Sequence, residues 1–154
     1  MTTTTLIMTY LLTSLLAGAL GGVALELVMW VIAKAGLTKG DMILALGSLL
    51  TKTRDNAYRV GLMVHATAAL GFGLAYTLLM LTLGYTHMPI SMMLGLGVGV
   101  LHGVLVSLML VWVVADRHPL EEFQDADLLV GLSHLAGHAA FGAVVGAVVG
   151  LSPL

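Results

Sequence analysis

The strongest constraint in this sequence comes from four long apolar stretches, near residues 6–31, 60–83, 90–114 and 128–151. Each is as long as the roughly 20 residues that an α-helix needs to cross a bilayer. Charged residues make up only 9% of the 154 residues, whereas they make up about 25% of an ordinary soluble domain. The sequence therefore predicts an all-α integral membrane protein, a single domain folded as a four-helix bundle.

The basic residues predict how the four spans are oriented. All six Lys and Arg residues lie in the two segments that join span one to span two and span three to span four. In a four-span protein these two segments face the same side. Because positively charged loops stay in the cytoplasm, we expect a multi-pass protein of the inner (cytoplasmic) membrane, with both charged loops inside and both termini outside.

The first charged loop contains a short apolar segment, residues 38–50. Thr38, followed three residues later by Asp41, is typical of a helix start with an acidic residue in the first turn. The apolar residues that follow are too few to cross a membrane. The sequence therefore predicts a short amphipathic helix at the membrane interface, between spans one and two.

Every span carries an ionisable residue on the same face as its small residues. Gly18 and Gly22 lead to Glu26 at four-residue steps, and the other spans repeat this pattern with His65, with His102, and with His134 and His138. Residues four apart share a helix face, and small residues let helix backbones approach closely in a membrane. The polar groups are therefore predicted to face one another inside the bundle.

The depths of these residues suggest one layer. Glu26, His65 and His134 lie six to eight residues from the nearest charged residue, or about 9–12 Å at 1.5 Å per residue. His138 lies one turn deeper, and His102 one or two turns beyond that layer.

One carboxylate and several imidazoles suit a transition metal such as Cu, Zn or Fe. The predicted metal ligands are Glu26, His65, His134 and His138, with His102 nearby. His65 and His102 are alternatively the axial ligands of a haem b. The same histidines are also explained by plain hydrogen bonds between helices. No Cys is present, so thiolate sites are excluded.

Other candidates lie outside this layer. His87 and Met88 form a pair at the outer end that suits Cu(I). The acidic segment 116–127 with His118 reads as a solvated connector, or as a weak collector of hard cations. The sequence contains no nucleic-acid signal and no phosphate-binding glycine loop. No nucleophile–base pair is visible either, so we do not expect an enzyme that acts on its own.

Short motifs spread over nearly the whole chain resemble a family of short prokaryotic membrane proteins of unknown function. The motifs are Met29-Trp30, Gly36, Asp41-Met42, Leu46-Gly47-Ser48, Gly61-Leu62 with His65, Leu101-His102-Gly103, His118-Pro119, and Gly137-His138 with Phe141-Gly142. The resemblance implies a four-helix membrane protein. It points to a site set of Asp41, His65, His102, His118 and His138.

Three functions remain open from the sequence. The first is a metal- or haem-binding membrane protein that serves as a small subunit of a redox complex. The second is a structural accessory subunit, packed through its glycine stripes, whose histidines only make hydrogen bonds. The third is a carrier of protons or small cations. The expected partners are the lipid bilayer and either other membrane subunits or further copies of the chain.

Overall fold

The computed structural model describes residues 2–38 and 41–154, and within those ranges every regular element is helical. Four helices are long and apolar enough to cross a membrane. They are α1 (Thr3–Lys34), α3 (Ala57–Leu83), α4 (Ile90–Met109, continued to Arg117 by a π-helical turn and a 3₁₀ turn) and α5 (Leu128–Gly150), with the short helix α2 (Met42–Thr51) between the first two. This confirms the predicted all-α fold.

Helix α2 begins later than predicted. Asp41 is its N-cap, because its carboxylate accepts a hydrogen bond from the backbone N–H of Leu44 at 3.1 Å. An aspartate at this position satisfies one of the unpaired N–H groups of the first turn, so the expected start at Thr38 is wrong. The predicted segment also includes Lys39 and Gly40, which lie outside the described residues.

Helix α2 packs tightly against the beginning of α3. A Cβ placed on Gly47 would clash with the carbonyl group of Ala57, and one placed on Gly61 would clash with the carbonyl group of Ile43. Position 47 thus faces position 57 while position 43 faces position 61, so the two helices run antiparallel. This pairing places Asp41 near the level of His65.

Glycine seams join the long helices in pairs. Gly73 of α3 lies against α1. A Cβ added at Gly73 would be 2.7 Å from the Gly18 nitrogen. Gly142 of α5 lies against Gly95 and Gly99 of α4 in the same way. A third packing surface joins α1 to α5.

The helices follow one another in space in the order α3, α1, α5, α4, and α3 and α4 touch at only a few residues. The half of the bundle away from the charged loops is densely packed around fully buried Met80, Val145 and Val149. The half near the charged loops, called the charged end below, is open between α3 and α4. Helix α4 changes there to a π-helical turn, Leu110–Val114, a rare geometry that is frequent at functional sites.

Candidate functional site

A cavity of about 450 Å³ occupies the charged end of the bundle. Its walls come from α1, α2, α3, the π-helical end of α4, the segment between α4 and α5, and α5 itself. Most of its lining side chains are apolar. His65, His134 and His138 line it together, so the structure brings three of the predicted site residues to one space.

Glu26 contacts His65 without lining this cavity. The Glu26 Oε1 and His65 Nε2 atoms are 3.1 Å apart. Both atoms are buried, and neither has a well-aligned hydrogen-bond partner among the described residues, so the contact is close but poorly directed. With one proton shared between them, the pair carries no net charge, which limits the cost of holding a carboxylate inside a bilayer.

His134 and His138 each use one ring nitrogen in the same way. Nδ1 of His134 bonds to the carbonyl oxygen of Val130 at 2.8 Å, and Nδ1 of His138 bonds to the carbonyl oxygen of His134 at 2.7 Å. A carbonyl oxygen can only accept, so each Nδ1 carries the proton. In the neutral ring Nε2 then holds a free lone pair, the arrangement of a metal-ligating histidine.

The free nitrogen of His134 is buried. The residue is 5% exposed, and its Nε2 has no hydrogen-bond partner in the described part of the chain. Because buried polar atoms are nearly always paired in folded proteins, this nitrogen is a candidate contact for a bound group.

A smaller cavity of about 150 Å³ lies next to the first, and His65 and His138 line both. His102 lines only the smaller one. The Tyr76 hydroxyl is 3.1 Å from His102 Nδ1 and donates to the Val98 carbonyl oxygen at 3.3 Å. A phenol has one proton, so when that proton is donated to Val98, His102 Nδ1–H is the donor to the tyrosine oxygen.

Two secondary candidates, Asp41 and His118, line the large cavity with Glu122 and Asp125. His118 is buried, its Nδ1 accepts from the Leu120 N–H at 3.1 Å, and its Nε2 donates to the Ala45 carbonyl oxygen at 3.1 Å. The segment predicted as a solvated connector is thus partly folded against α2. The two charged loops are therefore joined by the bond from His118 to Ala45. They are also joined by an ion pair between Arg54 and Glu122, with a nitrogen–oxygen distance of 2.8 Å.

The other candidate pair lies far from this group. His87 and Met88 belong to the turn between α3 and α4, at the opposite end of the bundle, and both are exposed. Met88 lies close to Gly150. Neither residue lines either cavity.

The cavity offers imidazole and carboxylate groups, which accept hydrogen bonds or bind cations. Within residues 2–38 and 41–154, however, no three His, Asp or Glu side chains already stand close enough together to hold a metal ion. A cation bound here would be held first by the neighbouring turns of α5 that carry His134 and His138. Further ligands would require side-chain rotation.

Two of the polar contacts that were not predicted from the sequence involve candidate histidines. Tyr76 lies on the small-residue face of its helix, three residues after Gly73, but nothing in the sequence pairs it with His102. His118 and Ala45 are 73 positions apart, and local sequence patterns do not predict a hydrogen bond over such a separation.

Compared with models of known families, with curated proteins and with solved structures, the chain shows no match. The family resemblance inferred from the short motifs therefore stays a prediction.

Proposed function

We propose that this polytopic membrane protein binds a transition-metal cation at the inner end of its large cavity. The observation that carries the proposal is the buried Nε2 of His134, which has no hydrogen-bond partner in the part of the chain that the structure describes. His138 presents a second free Nε2 from the next turn, since its Nδ1 also donates to the backbone. Imidazole nitrogens suit Zn, Cu and Fe cations.

His65 and Glu26 complete the proposed site. A carboxylate that contacts a ligating histidine fixes the orientation of its ring and raises its basicity, and Glu26 lies 3.1 Å from His65. Rotation of the His65 ring would bring it towards the cation while Glu26 stays behind it. Glu26 would then act as a positioning residue or as a further ligand.

The same observations support the other functions less well. The cavity between His65 and His102, about 150 Å³, has room for about five waters at ~30 Å³ each and is smaller than a haem. The structural accessory role needs glycine stripes that pack against another subunit. Here they pack helices of the same chain against each other, α1 against α3 and α4 against α5. The other half of the bundle is packed around fully buried Met80, Val145 and Val149, which suits a carrier less well than a binding protein. A role as a subunit of a redox complex rests on the sequence alone.

The test is metal binding by the purified protein. Chain stripped with a chelator is titrated with Zn²⁺, Cu²⁺ or Co²⁺, and bound metal is measured by elemental analysis and by the visible absorption of Co²⁺. We expect one ion per chain, at least tenfold weaker binding in His138→Ala, and a loss of about 10- to 100-fold in Glu26→Gln, as for other carboxylates that orient a metal-ligating histidine.

His87→Ala is the matched control, because it removes an exposed imidazole far from the cavity. It should bind metal like the natural chain. The proposal fails if the natural chain binds no ion, or if the double variant His134→Ala/His138→Ala binds as well as His87→Ala.

A further inference from the structure

The outer part of the large cavity has no evident use in the proposed metal site. Its volume of about 450 Å³ equals roughly 15 water volumes of ~30 Å³, far more than a single cation needs. Ligand pockets for small organic molecules have volumes of about 300–1,000 Å³ and mostly apolar walls. Met42 and Leu46 of α2 face this space together with Leu105 and Met109 of α4.

The cavity opens towards the surroundings of the bundle. Leu105 and Met109, on its α4 side, are 56% and 57% exposed, and they lie on a helix that is long and apolar enough to span the bilayer. Helices α3 and α4 hardly touch. A molecule dissolved in the lipid therefore has an apolar route into the cavity.

The polar groups of the cavity select the charge of its occupant. Asp41 and Asp125 present carboxylates at its exposed rim, and Glu122 adds a third that already pairs with Arg54. Among the described lining residues there is no Lys or Arg. Deeper inside, His134 and His138 offer lone pairs, since their protons point to the backbone. An occupant must therefore donate hydrogen bonds or carry positive charge.

We propose that this outer part of the cavity binds a lipid-soluble amine, with its ammonium group at the carboxylates of Asp41 and Asp125 and its hydrocarbon body between α2 and α4. The buried Nε2 of His134, which has no hydrogen-bond partner among residues 2–38 and 41–154, adds an acceptor at the inner end of the same space. The proposal goes beyond the metal site and does not depend on it, because the two ligands would occupy different parts of the cavity.

The test uses metal-free protein in lipid nanodiscs and three ligands that share one hydrocarbon cage. These are 1-adamantylamine, 1-adamantanol and 1-adamantanecarboxylate, which carry a positive, a neutral and a negative group at neutral pH. Binding is measured by titration calorimetry, with empty nanodiscs subtracted. We expect saturable binding of the amine, at least tenfold tighter than that of the alcohol, and no binding of the carboxylate.

Two variants locate the amine. Asp41→Asn/Asp125→Asn should weaken binding about tenfold, and Asn preserves the cap of α2. The matched control, Asp55→Asn/Glu121→Gln, removes the same charge from residues that do not line the cavity. Ala45→Phe fills the cavity from α2 and should abolish binding, whereas Val23→Phe, on an exposed face of α1, should not.

Three results would overturn the proposal. The first is equal affinity for all three ligands, which would indicate plain partition into the lipid. The second is unchanged amine binding in Ala45→Phe, which would place the amine elsewhere. The third is no saturable amine binding by the natural chain. None of them bears on metal binding, which is measured on separate samples with its own variants.

Discussion

The seam between α4 and α5 allows a quantitative prediction at Gly142. A Cβ added there would overlap the Gly95 carbonyl oxygen and would lie 2.9 Å from the Gly99 Cα. Because non-bonded carbon atoms prefer separations of about 3.5–4.0 Å, the two helices would have to separate by roughly 1 Å in Gly142→Ala.

The cost of that separation follows from the length of the seam. A gap of 0.5–1 Å forfeits about a quarter to a half of the dispersion energy of each contact. Gly146 lies on the same seam, against Ser91 and Met92, so it loses contacts at the same time. Overpacking of this kind costs about 1–3 kcal/mol, and we expect Gly142→Ala to lose about 2 kcal/mol.

The assay is reversible unfolding in mixed detergent–SDS micelles, followed by helix content and by tryptophan fluorescence. Gly97→Ala is the matched control, since nothing lies within 4 Å of a Cβ at that position of α4. It should match or slightly exceed the natural stability, because Ala is the better helix former. The close-packed seam would be refuted if the unfolding free energies of the two variants agreed within about 0.5 kcal/mol, the error of such additive comparisons.

Three further predictions concern polar contacts. His118→Ala should destabilise the chain by about 0.5–1.5 kcal/mol, the net value of one hydrogen bond, and speed proteolysis between α4 and α5, because the bond that ties this segment to the Ala45 carbonyl of α2 is lost; unchanged proteolysis would contradict this. Tyr76→Phe should cost about 0.6 kcal/mol in micelle unfolding for each hydrogen bond lost, the average between membrane helices, and should cost less in a chain that already carries His102→Ala, where only the bond to the Val98 carbonyl remains to be lost; an equal cost in both backgrounds would contradict the pairing of Tyr76 with His102. Arg54→Gln should change stability by less than about 1 kcal/mol, with the difference vanishing at high salt, because the pair is exposed; a larger, salt-independent loss would contradict this.

The elements that could be predicted from the sequence are those governed by local pattern. The span near 128–151 corresponds to α5, Leu128–Gly150, because its length and apolarity are set by the bilayer. The four-residue steps of glycine also indicated which helix faces pack closely. Since His65, His134 and His138 lie on or beside such faces, their meeting at one cavity follows from the same pattern.

The pairing of helices could not be predicted in the same way. A glycine stripe indicates a close-packed face but does not identify its partner helix, so the weak contact between α3 and α4 has no sequence signal. The start of α2 depended on whether Thr38 or Asp41 caps the helix, and both are good capping residues. His118 looked solvated because acidic residues follow it, whereas its ring bonds to the backbone of α2.

The open side of the bundle follows from the side chains at its four seams. Glycines bring α1 against α3 and α4 against α5, and Gly21 and Gly137 serve the contact between α1 and α5. The fourth seam, between α3 and α4, has rings in place of glycines: Phe72 and His102 lie 4.2 Å apart between ring centroids. Rings hold backbones further apart than glycines do, so three tight seams and one wide seam leave a space between α3 and α4. His65, His134 and His138 therefore line a region of this bundle that has room for a ligand.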